Sequence, residues 1–344
     1  MKKITFLKGI FQVFGLAPFC SLETIKNRQN LPRKSILSSV EFKYNFSLVC
    51  CLLTMLYKSL MKMLDEPYDT AEELSLLRAT DFIETTLSSA ASISILMIYC
   101  FKKNEFSKII CELSSICENL YTVFGLKSRD TIVKFVTVLV LFNYVIVAFS
   151  LYYAMFYIEI AYYVGFYVPC AIIIHSILQY SFVTRLLLSL TLNINNCFQN
   201  VVITFSLKKH LGPDTKVFIN SNKKMTKRQI IILLRDFYLD LHTLFKIVSE
   251  FYSIPIFISI FYSFIISVCT VYVMSSVVFI LNASNSFSNS ITVFHCFLWI
   301  SNIIVSIVIL CRNITRVLRE VYISFYNKDI HSFLDTTTLL NFCV

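Results

Sequence analysis

The sequence predicts an all-α integral membrane protein with six transmembrane helices, and three observations support that class. Six stretches are apolar over the roughly 20 residues that a helix, rising 1.5 Å per residue, needs to cross a hydrocarbon layer about 30 Å thick. Of the 344 residues, 56% are hydrophobic and 15% are charged, whereas a soluble domain carries about a quarter charged residues. The loops between the apolar stretches alternate in charge. With five glycines, six prolines and no period-two alternation in the apolar runs, helices are favoured over a barrel.

The spans are read as Tyr44–Met63, Arg78–Phe101, Phe135–Tyr157, Ala161–Leu190, Ile254–Leu281 and Ile291–Cys311. The fourth and fifth exceed the minimum, so they tilt or outrun the bilayer. Residues 1–43 form a cytosolic N-terminal segment, 44–311 a single membrane domain and 312–344 a cytosolic tail. The net charge of +10 is scattered over the ends and loops of an apolar chain. It therefore reads as membrane orientation rather than nucleic-acid binding.

Each segment in turn agrees with this. Lys2, Lys3, Lys8, Lys26, Arg28, Arg33, Lys34 and Lys43 hold the N-terminus inside, while Asp65, Glu66, Asp69, Glu72 and Glu73 follow the first span in a loop that can be translocated. Lys102, Lys103, Lys108, Lys127 and Arg129 return the chain to the cytosol. The turn near Glu159 lies outside. The lysine- and arginine-rich segment Thr191–Ser253 is cytosolic, the uncharged turn Asn282–Asn289 lies outside, and Arg312, Arg316, Arg319 and Lys328 bring the tail inside.

At the N-terminus, Lys8 interrupts the apolar run and no small-x-small cleavage site follows, which argues against a signal peptide. An interfacial helix is expected instead, with Ile4, Leu7, Phe11 and Phe14 buried in the inner leaflet and Gly15-Leu16-Ala17-Pro18 ending it. Ile109, Ile110, Leu113, Ile116, Cys117, Leu120 and Phe124 recur at helical spacing in the second cytosolic segment. In the third, Gly212-Pro213 and Asn220-Ser221-Asn222 mark a break. A new helix then begins near Thr226, with a stripe through Ile230, Leu233, Leu234, Phe237, Leu241, Leu244 and Phe245. These extensions read as a packed cytosolic bundle or as separate segments lying on the membrane.

Enzyme signatures are missing: there is no phosphate loop, no His-Glu-x-x-His and no Gly-x-Ser-x-Gly. The twelve cysteines show no Cys-x-x-Cys spacing and read as small packing residues. Neither cofactor nor metal is expected. Polar residues inside spans mark functional candidates because burying them in lipid costs free energy. Asp81 and Glu84 share a helix face and are placed level with Lys58 and Lys62, either paired with them or snorkelling to the outer interface.

The third and fourth spans meet outside in tyrosines and phenylalanines. Tyr153, Tyr157 and Tyr163 are read as pocket lining, with an interfacial belt as the alternative. His175 and Gln179, four apart on the fourth span, and Trp299, four after His295 on the sixth, complete the candidate ligand-binding set. The alternative is interhelical hydrogen bonding that only holds the bundle together.

Three further features carry a resemblance. They are Phe14-Gly15-Leu16-Ala17-Pro18-Phe19 before the first span, the inside N-terminus, and Leu234-Arg235-Asp236-Phe237-Tyr238-Leu239-Asp240-Leu241-His242 leading through Phe251-Tyr252-Ser253 into the fifth span. With these the chain resembles the insect gustatory receptors, relatives of the odorant receptors, over most of its length. The resemblance implies a tetrameric ligand-gated cation channel with a tastant pocket open to the outside, cytosolic helix extensions where subunits join, and a place in the plasma membrane of a sensory neuron. A homo- or hetero-tetramer, a small-molecule tastant and membrane lipid are the partners it implies; nucleic acid is not among them.

The family's seventh, pore-lining span, with its Thr-Tyr and Gln-Phe, is not found before Asn341-Phe342-Cys343-Val344. The chain thus reads as a truncated seven-helix receptor, whether through a shortened gene model, a fragment or degeneration, and no pore residue is carried over. An odorant receptor of the same architecture and a six-span small-solute transporter are the competing readings.

Overall fold

The structure, a computed structural model, describes residues 11–12, 14–16, 40–65, 72–124, 130–157, 160–207, 217–220, 223–225, 227–281 and 287–326. Among them lie seven long helices: α1 (Val40–Asp65), α2 (Glu72–Phe101), α3 (Lys103–Phe124), α4 (Asp130–Tyr157), α5 (Ile160–Leu207), α6 (Lys227–Leu281) and α7 (Phe287–Tyr326). A short antiparallel hairpin, β1 (Val217–Asn220) with β2 (Lys223–Met225), joins α5 to α6, pairing Val217 with Met225 and Phe218 with Lys224. The sequence reading expected only a break there. Val217-Phe218-Ile219 is too short for periodicity to show, but its β-branched and aromatic residues beside an Asn-Ser turn suit a strand.

Five helices carry apolar stretches long enough to cross a membrane: Phe42–Met61, Ala79–Phe101, Tyr167–Gln199, Ile232–Ser276 and Val293–Val321. In α4 the apolar stretch among the described residues is Thr137–Phe149, while the helix itself continues from Asp130 to Tyr157. The chain is an all-α membrane protein, with one small hairpin among the described residues. The tail beyond Tyr326, where a seventh span was sought, lies outside the described residues.

The chain divides into two compact units. The first comprises Met1–Lys108, Val133–Tyr180 and Glu250–Leu310. Here α1 packs on α2, and α2 presents Thr85, Ser88, Ser89 and Ser92, all fully buried small residues that let helices approach closely. An aromatic group forms where Tyr99 of α2 meets Phe251 of α6 edge-on, with ring centroids 5.1 Å apart, and Phe251 also meets Phe106 of α3.

α6 runs through Pro255. Beyond that residue Ser259, Ser263 and Thr270 donate to the carbonyls four residues back, at 2.7 Å each, so these hydroxyls are satisfied within their own helix.

The second unit comprises Ile109–Ile132, Ser181–Ser249 and Cys311–Val344. α3 buries Ile109, Ile116 and Leu120, and the start of α6 buries Ile230, Leu234, Phe237, Leu241 and Leu244. These are members of the stripes that the 3.6-residue period picks out. Phe124 meets Phe237 edge-on at 6.2 Å, so the two stripes pack on each other rather than lying apart. Burial pushes the Cys117 thiol of α3 up to about 11.

Candidate functional site

His175 and Gln179 stand on one face of α5, as their four-residue spacing requires. What covers that face is the N-terminal segment of the chain itself. Gln179 is 3% exposed; its Oε1 accepts from Tyr99 Oη at 2.5 Å and its Nε2 donates to the Leu16 carbonyl at 2.7 Å. The His175 ring stacks on Phe14 with centroids 4.2 Å apart and meets Tyr144 at 5.5 Å and Phe11 edge-on at 6.5 Å. His175 Nδ1 lies 2.7 Å from the Ala171 carbonyl, which can only accept, so the proton sits on Nδ1. Nε2 is then an acceptor, buried and without a hydrogen-bond partner.

The local sequence explains why the segment seats here. Leu16 N donates to Phe11 O at 2.8 Å and Gly15 N to Gln12 O at 3.0 Å, the paired bonds of a Schellman motif ending a helical turn at a left-handed residue. Gly15 fills that position with φ +70°. Its carbonyl accepts from Asn45 Nδ2 of α1 at 2.9 Å, and a Cβ at Gly15 would stand 2.5 Å from Asn45 Oδ1.

The expectation that Phe11 and Phe14 rest in the inner leaflet is corrected. Phe11 is 4% exposed within the protein, and Phe14 lies against His175. A one-sided apolar pattern needs an apolar cover, and the pattern is the same whether lipid or protein supplies it.

A second polar group lies farther toward the start of α5. Tyr167 is eight residues before His175, roughly 12 Å along the axis. Its hydroxyl is 2.8 Å from His295 Nε2, and its ring meets Trp299 edge-on at 5.3 Å. His295 and Trp299, four apart on α7, thus clasp one tyrosine. One turn along α5, Cys170 Sγ lies 2.7 Å from Tyr262 Oη of α6.

Glu84 of α2 is in electrostatic reach of Cys170, Tyr262, Cys269 and Cys296. Its Oε1 is buried with no hydrogen-bond partner, whereas Lys58 is exposed. Glu84 thus turns a carboxyl oxygen inward rather than pairing with Lys58, while the side chain of Lys62, the other lysine of that expectation, lies outside the described residues. Side chains of α5, α6 and α7 thus stand around this carboxyl, thiols and a phenol among them, a set able to hold a small organic molecule by a hydrogen bond and apolar contact.

Of the residues read from the sequence, the structure joins His175 with Gln179 and places Trp299 in the second group. The side chains of Tyr153, Tyr157 and Tyr163 lie outside the described residues. Tyr99 and Tyr262 were missed as partners. The available signal was a tyrosine inside an apolar span, whose hydroxyl must find a partner when buried. The ten described cysteines are all free of disulfides.

A family model described as "7tm Chemosensory receptor" matches residues 5–323. No curated protein matches the chain.

Proposed function

Because the chain belongs to the 7tm chemosensory receptor family, we propose that it is a gustatory-type receptor that detects a small organic tastant as a subunit of a ligand-gated cation channel. Its place is the plasma membrane of a sensory neuron, in a homo- or hetero-tetramer. The family is not one of enzymes, and the reading needs no cofactor. The observation that carries the proposal is the buried carboxyl of Glu84, whose Oε1 has no partner inside a polar and aromatic group drawn from α2, α5, α6 and α7. An ionisable residue held inside apolar helices marks a functional position by default.

The ligand presents a hydrogen-bond donor to Glu84 and rests its apolar part on Tyr167, Tyr262 and Trp299. Tyr153, Tyr157 and Tyr163, whose side chains lie outside the described residues, are further ligand contacts in this reading. His175 and Gln179 serve the N-terminal segment rather than the ligand. Binding opens the channel by favouring the arrangement that the ligand contacts better. The segment Leu234–His242 with Phe251-Tyr252-Ser253 supports the gustatory over the odorant assignment.

The test is a screen of small organic molecules on the purified full chain, reading thermal stabilisation, and on cells that co-express it with a pore-bearing subunit, reading ligand-evoked current. Trp299→Ala and Glu84→Gln are expected to shift the dose-response curve, and His175→Ala to leave its midpoint in place. Currents unaffected by the first two changes would remove the proposed pocket.

A further inference from the structure

We propose that Arg185, Arg312 and Arg316 form a binding site for the phosphate-bearing headgroup of an anionic lipid in the inner leaflet. Arg185 stands within the apolar stretch Tyr167–Gln199 of α5 and is flanked by the buried Thr184, Leu186, Leu187 and Leu188. A guanidinium is rare at such a position and marks a site when present. Arg185 is aimed rather than splayed: its Nη1 donates to Asn313 Oδ1 of α7 at 3.3 Å, and Asn313, 1% exposed, is itself held by donating from Nδ2 to the Ser181 carbonyl at 3.3 Å.

The electrostatic neighbours of Arg185 include two further arginines, Arg312 and Arg316. These are four apart on one face of α7, both are exposed, and neither makes an ion pair among the described residues. Three like charges held together from two helices repel one another, and a shared anion removes that repulsion. Guanidinium forks match phosphate oxygens bidentately.

Depth identifies the source of the anion. The sixth span read from the sequence, Ile291–Cys311, ends immediately before Arg312, and Arg185 lies five residues before the end of the fourth, Ala161–Leu190. On the orientation given by the loop charges, both points lie at the cytosolic headgroup level. Basic pockets between membrane helices on that side suit multiply charged phosphoinositide headgroups. Scattered basic residues that only set topology would not converge on a buried asparagine.

The test is native mass spectrometry and thermal melting of the purified full chain in phosphatidylcholine nanodiscs, with or without phosphatidylinositol bisphosphate. The expected result is one retained phosphoinositide per chain and a raised melting temperature. Each arginine neutralised should weaken binding about fivefold. Arg185→Gln also removes a hydrogen bond to Asn313, so the double variant R312Q/R316Q, altered only at exposed positions, gives the independent reading, about 25-fold weaker. R235Q, at an arginine already beside Asp236, is expected to bind as the unaltered chain does. Retention unchanged in R312Q/R316Q would overturn the proposal. So would binding lost equally in R235Q, or soluble inositol trisphosphate giving the full melting shift while the lipid adds nothing.

Discussion

Two levels of α5 present buried polar side chains to the first unit, and they are satisfied differently. At the His175–Gln179 level both functional ends of the Gln179 amide are taken, by Tyr99 and by the backbone of Leu16, and the imidazole, bonded through Nδ1 to Ala171, is covered by Phe14 although its Nε2 has no partner. At the Tyr167–Cys170 level the side chains pair among themselves, yet the neighbouring Glu84 keeps an oxygen without a partner. Burial of a polar group thus does not by itself mark a ligand site. A group already bonded within the chain supports the fold, and a buried carboxyl with an open oxygen is where an outside molecule adds most.

The strongest way to break this contrast is Gly15→Val. It forces a β-branched residue into a left-handed conformation and places its Cβ against Asn45. A loss of about 3 kcal/mol is expected from strain and overpacking together, read as a lowered melting temperature in detergent. An unchanged melting curve would show that the N-terminal segment is not seated on His175 and Gln179.

Next in size is Gln179→Leu, which strips partners from the Tyr99 hydroxyl and the Leu16 carbonyl. About 1–2 kcal/mol of stability should go, with no shift in the midpoint of any ligand response. A shifted midpoint would move this level into the pocket.

Glu84→Gln is expected to leave stability within about 0.5 kcal/mol, because Oε1 has no protein partner to lose. It should weaken the ligand response by about tenfold, the loss of one hydrogen bond to the carboxyl. A large drop in melting temperature instead would mean that Glu84 is a structural group.

Stability is left untouched in the last test, which concerns Cys117, where burial alone acts. Its thiol titrates near 11 rather than 9, so the reactive thiolate is about a hundredfold scarcer at neutral pH. Maleimide labelling of Cys117 should be slow near neutrality and should accelerate as pH rises toward 11. Rapid labelling at neutral pH would show α3 to be unpacked.

The helix stripes were legible because burial on one face imprints a 3.6-residue period, which the Ile109–Leu120 and Ile230–Leu244 runs both carry. The shared face of His175 and Gln179 followed from their spacing alone. What covers that face did not, since Phe11 and Phe14 carry the same apolar pattern whether lipid or protein buries them. The inward turn of Glu84 was equally hidden, because position along a helix does not say which way a carboxyl near an interface points. The hairpin at Val217–Met225 is shorter than any period that could announce it.

Length and apolar runs are local or additive properties, so the amino-acid order by itself determined a helical membrane chain and the faces its helices bury. Which buried polar atoms meet depends on residues far apart in the chain, such as Leu16 with Gln179 or Cys170 with Tyr262. Only the tertiary structure decided that one polar level is filled by the chain's own N-terminal segment while the other keeps a carboxyl oxygen open, because a hydrogen bond needs two atoms brought within about 3 Å and no single stretch of sequence contains both.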